Sequence, residues 1–93
     1  MEDTNKKSDI TVKQSQIDEI YNNSKFHVTT MLGKITIVVM ELPCGFTLVE
    51  SSACVDPANY DESFGAEICK SRFKDRLWYL EGYMLQNQVG KLK

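Results

Sequence analysis

The residues best suited to chemistry gather in one stretch, ACVDPANYDESFG, at positions 53–65, which holds a thiol, an amide, a phenol and three acids. Cys54 with His27, the only histidine, would supply a nucleophile and its base. Nothing in their spacing ties the two together, so the expectation is a buried, inert Cys54 beneath an Asp56-Pro57 turn. Asp56, Asp61 and Glu62 lack the regular ligand spacing and sharp-turn glycine of a calcium loop. They suit a helix start instead. Asp56 is a good N-cap type, Pro57 fits a first helical position, and acids are favoured where a helix begins. The rival reading has Asn59, Tyr60 and Asp61 facing a ligand at that helix N-terminus. Arg72 and Arg76 alternate with Phe73, Leu77 and Trp78, a mixture that can hold nucleic acid by charge and stacking. Asn59, Tyr60, Asp61, Arg72 and Arg76 are therefore the candidate partner- or ligand-binding residues.

Bulk properties narrow the chemistry. Ninety-three residues make one small domain. A net charge of −2 argues against broad binding to a phosphate backbone, which needs a basic stripe. Cys44, Cys54 and Cys69 are odd in number and form no C-x-x-C pair, so the expectation is reduced thiols in a cytosolic protein, with no metal and no cofactor. Cys54 and Cys69 should be buried and Cys44 exposed on a turn. No phosphate loop is present. No signal peptide or membrane span is expected.

The elements that must position these residues read as α+β. Residues 1–10 are polar and read as a flexible tail; 11–93 form the domain. Thr11 to Gln14 suggests a capping box for a helix over about 12–23. Residues 26–32 read equally as a third strand or an extended linker. ITIVVMELPCGFTLVESSA predicts a β-hairpin closed by Pro43-Cys44-Gly45, with Met40 opposite Leu48 and Val39 opposite Val49. Both hairpin faces are apolar, so both should be covered. A helix over about 61–88 follows, closed by Gly90. At roughly 40 Å it is longer than a domain of this size is wide, and its aromatics, above all the group of Trp78, Tyr79 and Tyr83, should protrude. Phe73, Leu77, Trp78, Leu80, Tyr83 and Met84 are the expected interface of a symmetric homo-oligomer.

Gly45-Phe46-Thr47, the run from Ser52 to Asp61, Gly65, Leu77-Trp78, Leu80-Glu81-Gly82-Tyr83 and Leu85 together resemble a family of small tailed-phage proteins of gp-forty-nine/sixty-six type. The resemblance covers about half the chain and brings no catalytic residue with it. It implies a phage gene expressed in the cytoplasm of an infected bacterium. Two function classes follow. One is a non-enzymatic protein that binds and inhibits a host factor, a defence protein or CRISPR effector, or that sequesters a small nucleotide signal. The other is a nucleic-acid accessory protein of phage replication or transcription.

Overall fold

The computed structural model describes residues 8–92. Most of the expected tail at 1–10 lies outside the described residues. A short helix α1 (Gln14–Asn22) leads into three strands, β1 (Lys25–Met31), β2 (Ile35–Glu41) and β3 (Thr47–Ala53). A 3₁₀ turn (Pro57–Asn59) and the long helix α2 (Glu62–Val89) follow. The strands form an antiparallel meander with β2 in the centre. Residues 26–32 thus belong almost wholly to a third strand, held by seven paired positions from Lys25↔Glu41 to Met31↔Ile35.

The β2–β3 hairpin has the predicted register, Met40↔Leu48 and Val39↔Val49. Gly45 N–H donates to Leu42 O and Leu42 N–H to Phe46 O, both at 2.8 Å. Gly45 takes φ 94, the left-handed position that closes a three-residue loop. The β1–β2 turn uses Leu32 (φ 56) and Gly33 (φ 67), with Lys34 N–H donating to Met31 O at 3.1 Å. Two successive positive φ values make this a turn of the primed kind, whose twist suits a hairpin. Leucine is an unusual residue for it.

Side chains alternate across the sheet. Thr36, Val38 and Met40 of β2 point to the helix side and are fully buried. Both helices lie on that side. α2 presents Ala66, Cys69, Phe73 and Leu77 at helical spacing, α1 adds Ile17, and Leu48 comes from β3. Phe26 of β1 packs at a tilt between Tyr21 (5.0 Å between centroids) and Phe73 (6.1 Å). Gln16 Nε2 of α1 donates to Glu81 Oε1 of α2 at 2.7 Å and ties the two helices together.

Two expectations need correction. Thr11 does not cap α1: the helix starts at Gln14, Lys13 occupies the N-cap position without a side-chain bond, and the Thr11 hydroxyl turns to Val12 O. Only one face of the sheet is covered by the chain itself. On the outer face Ile35, Ile37 and Val39 are half-buried by the flanking strands, while Met31 and Val49 are 52% and 55% exposed.

Candidate functional site

The stretch from Ala53 to Gly65 joins the sheet to α2 by a series of local bonds. Cys54 N–H donates to Lys34 O at 3.0 Å, prolonging the β2–β3 edge by one step. Asp56 Oδ1 accepts from Ala58 N–H at 2.9 Å and caps the 3₁₀ turn that Pro57 begins. Asp61 caps α2: its Oδ1 accepts from Ser63 N–H (3.0 Å), Ser63 Oγ (2.8 Å) and Phe64 N–H (3.2 Å). The Ser63 hydroxyl first, then the Phe64 and Ser63 amides, hold the Asp61 carboxyl below its usual range. The negative charge that a helix N-terminus attracts is thus supplied by the chain itself. Asn59 is exposed, and no side-chain bond ties it to the described chain.

Tyr60 turns inward. Its hydroxyl lies 2.8 Å from Thr36 Oγ1 and 2.7 Å from Thr30 Oγ1, and Thr30 Oγ1 donates to Glu62 Oε2 at 2.6 Å. An ionised carboxylate only accepts, so this row of hydroxyls has one consistent direction: Thr36 donates to Tyr60, Tyr60 to Thr30, and Thr30 to Glu62. Thr36 is the one fully buried polar side chain among the described residues, and this row satisfies it. A recess of about 160 Å³ opens beside it, lined by Ser52, Cys54, Asn59, Tyr60 and Phe64 among others.

The thiols fall into three environments. Cys44 is exposed on its turn and Cys69 is buried, where burial pushes its thiol up. Cys54 was expected buried; it is half-buried, with Sγ 3.3 Å from Asp56 O. His27 pairs opposite Val39 on the outer face, whereas Cys54 sits beside Lys34. Five residues of strand separate those levels, about 16 Å, so the two cannot act as nucleophile and base. Among the described residues no cluster of His, Cys, Asp and Glu could hold a metal ion.

Arg72 and Arg76, one turn apart on α2, reach across to β3. Arg72 Nη1 donates to Ser51 O at 2.7 Å and Arg76 Nη1 to Val49 O at 3.0 Å. Glu50 lies between them, 3.7 Å from Arg72 and 3.2 Å from Arg76. Both guanidiniums are therefore engaged with the chain's own edge strand.

The residues expected at an oligomer interface divide. Phe73 and Leu77 are fully buried in the core of the chain and form no outer surface. Leu80 packs partly against that core. Trp78 is 37%, Met84 53% and Tyr83 72% exposed, and Tyr79 reaches 84%. The reason is angular: α2 has one flank on the sheet, and residues a turn apart on that flank are core, while their immediate neighbours face outward. Phe46, at the hairpin tip and 53% exposed, completes an apolar groove with the second half of α2. One hollow of about 340 Å³ lies between Phe46, Arg76, Tyr79 and Tyr83. Another of about 260 Å³ lies between Phe46, Leu80, Tyr83 and Met84. Tyr79 was singled out from the sequence with Trp78 and Tyr83; Phe46 was not singled out for this surface. Phe46 was legible only as the residue after a turn, and what faces it depends on where α2 lands.

These features define a two-layer α+β protein, three antiparallel strands backed by two helices, with an aromatic groove at one end. Residues 8–89 match the phage protein (N4 Gp49/phage Sf6 gene 66) family, and the chain belongs to it. No curated protein and no solved structure matches the chain. Most of the stretches that carried the resemblance fall at the two places just described. Ser52 to Asp61 is the joint, and Gly45-Phe46 with Leu80 to Tyr83 frames the groove. No helix among the described residues is long and apolar enough to cross a membrane.

Proposed function

We propose that this phage protein is a non-enzymatic accessory protein that binds and inhibits a host factor, a component of host defence, in the cytoplasm of the infected bacterium. The observation that supports this reading is the groove of Phe46, Tyr79, Tyr83 and Met84, all more than half exposed. Large aromatics gathered around a hollow are the composition of interface hot spots, and a cluster of exposed apolar side chains marks an interaction surface. The groove suits a protein partner offering an apolar side chain or one face of a helix. Its single rim cation, Arg76, is already paired with Glu50.

Two other readings find less support. A nucleic-acid accessory role would need free cations beside the aromatics, and Arg72 and Arg76 are bonded to β3. A nucleotide signal would need anion-binding groups, and the start of α2 already holds the Asp61 carboxylate.

The test is affinity capture from host lysate with the wild-type chain and with Tyr79→Ala/Tyr83→Ala, followed by phage plating on hosts with and without the captured factor. The reading holds if one host protein is retained by the wild type and lost with the double variant, and if its absence removes any plating advantage. It fails if the double variant, folded like the parent, captures the same set.

A further inference from the structure

The two edges of the sheet are not alike, and the difference points to a second copy of this chain. At the β3 edge the outward carbonyls of Val49 and Ser51 accept bonds from Arg76 and Arg72. An approaching strand would meet guanidiniums there. At the β1 edge nothing comparable occurs. Hydrogen-bonded positions alternate along an antiparallel ladder. The Leu42–Phe46 bond and the two arginine contacts place Thr36, Val38 and Met40 in the bonded pairs with β3. Ile35, Ile37, Val39 and Glu41 therefore bond to β1, and the N–H and C=O groups of Phe26, Val28 and Thr30 point away from the sheet. No group of the described chain hydrogen-bonds to those outward groups, and every residue of β1 except Phe26 is exposed.

We infer that β1 is a pairing edge whose occupant is β1 of a second copy, giving a two-fold dimer with a continuous six-stranded sheet. This inference is independent of the host-factor reading. The strand is self-complementary about Val28. With Val28 on the two-fold axis, Phe26 stands opposite the partner's Thr30, and all three outward-facing residues of each strand find a partner. His27 meets the partner's Thr29. Lys25, the one lysine or arginine of β1, meets the partner's Met31, and His27 faces a threonine, so no two basic residues face each other, an arrangement that favours pairing. β-branched Val28, Thr29 and Thr30 suit a strand. The guarded β3 edge then limits growth: an open edge at one side only gives a closed pair, where two open edges would give a filament.

The experiment joins light scattering over a concentration series with amide hydrogen exchange of the whole chain. The wild type should approach twice the 10.6 kDa of one chain as concentration rises, and the Phe26, Val28 and Thr30 amides should become protected in step. Val28→Pro removes an N–H that faces away from β2, a substitution edge strands tolerate; Val28→Lys puts like charges on the axis. Each should raise the apparent dissociation constant at least tenfold while Tyr83→Ala leaves it unchanged. If the Val28 variants unfold, the concentration dependence of the three wild-type amides decides alone. A chain that stays single at every concentration overturns the proposal. So does a dimer that survives both folded Val28 variants. Protection of the three amides only on adding an extended host peptide would assign the edge to a foreign strand and overturn it equally.

Discussion

Gly65 of α2 lies directly over Thr36 of β2, so close that a Cβ built on Gly65 would stand 2.8 Å from Thr36 Cβ and closer still to Thr36 Oγ1. Real Cβ atoms do not approach in this way, so the first turn of α2 is seated at a depth only glycine permits. Thr36 is held in turn by Tyr60, which leaves it little freedom to move aside. Gly65→Ala gains about 0.5–1 kcal/mol of helix preference but forces an overpacked contact worth about 1–3 kcal/mol. A contact this close puts the overpacking at the upper end of that range, so the net loss should be about 2 kcal/mol, visible as a melting temperature lower by about 4–8 °C for each kcal/mol in a domain this small. An unchanged melting temperature would mean that the helix can lift at no cost.

Tyr60→Phe tests the hydroxyl row. The ring stays, but Thr36 loses its partner and no water can readily reach a side chain with no exposed surface. An unsatisfied buried hydroxyl costs about 1–3 kcal/mol. Denaturant unfolding should show the midpoint falling with little change in slope, because the folded shape is kept.

Leu32 should be the easiest residue to improve. It holds φ 56 with its side chain 80% exposed, so its strain has no packing to offset it. Asparagine adopts that conformation more readily and makes the Asn-Gly pair that such hairpins favour. Leu32→Asn should therefore stabilise the fold by about 1 kcal/mol. A stabilised variant that loses partner capture would identify the Leu32 tip as part of a binding surface.

The cap residues separate structure from function by pH. The Asp61 carboxyl is depressed in the folded state, so its stabilisation is present above its ordinary value of 3.8 and is lost as pH falls through the lower folded value. Asp61→Ala should melt below the parent at pH 7, and the gap should close as pH drops below about 4. Asn59→Ala, which breaks no bond, should melt within about 0.5 kcal/mol of the parent. Should Asn59→Ala melt normally and still fail to bind the host factor, the joint would be a recognition site as well as a hinge between layers.

Much of the architecture was legible because local rules governed it. Pro43 and Gly45 fixed the hairpin register, Gly90 marked the end of α2, and Asp56-Pro57 announced the turn before it. The third strand was legible only as one of two readings, since the alternation of Phe26 and Val28 with polar residues is weak and the turn that joins them to β2 runs through a leucine in a glycine-like conformation. Capping was legible only in part: Asp56 caps the 3₁₀ turn as expected and Asp61 caps α2 itself, but α1 begins behind Lys13 with no side-chain cap in place of Thr11. For the candidate site, Tyr60, Arg72 and Arg76 were picked as polar groups awaiting a ligand, but their partners, Thr36, Val49 and Ser51, lie more than twenty residues away in sequence. No spacing rule could have paired them. Gly65 carried a signal, a glycine early in a strong helix pattern, which usually marks a close contact.

The order of elements along the chain sets a schedule for its birth. All three strands are complete at Ala53, while the helix that covers them starts at Glu62 and ends at Val89. At bacterial translation speeds the sheet waits about 2–7 s for the 36 residues from Cys54 to Val89. Through that interval Val38, Met40 and Leu48 have only α1 above them, and a three-stranded sheet needs a packed face to persist. The nascent protein therefore emerges with its future interior facing the cell. A chain cut short before Leu77 should be a client of chaperones and proteases, so a full-length message matters more to this small protein than to one whose cover is synthesised first.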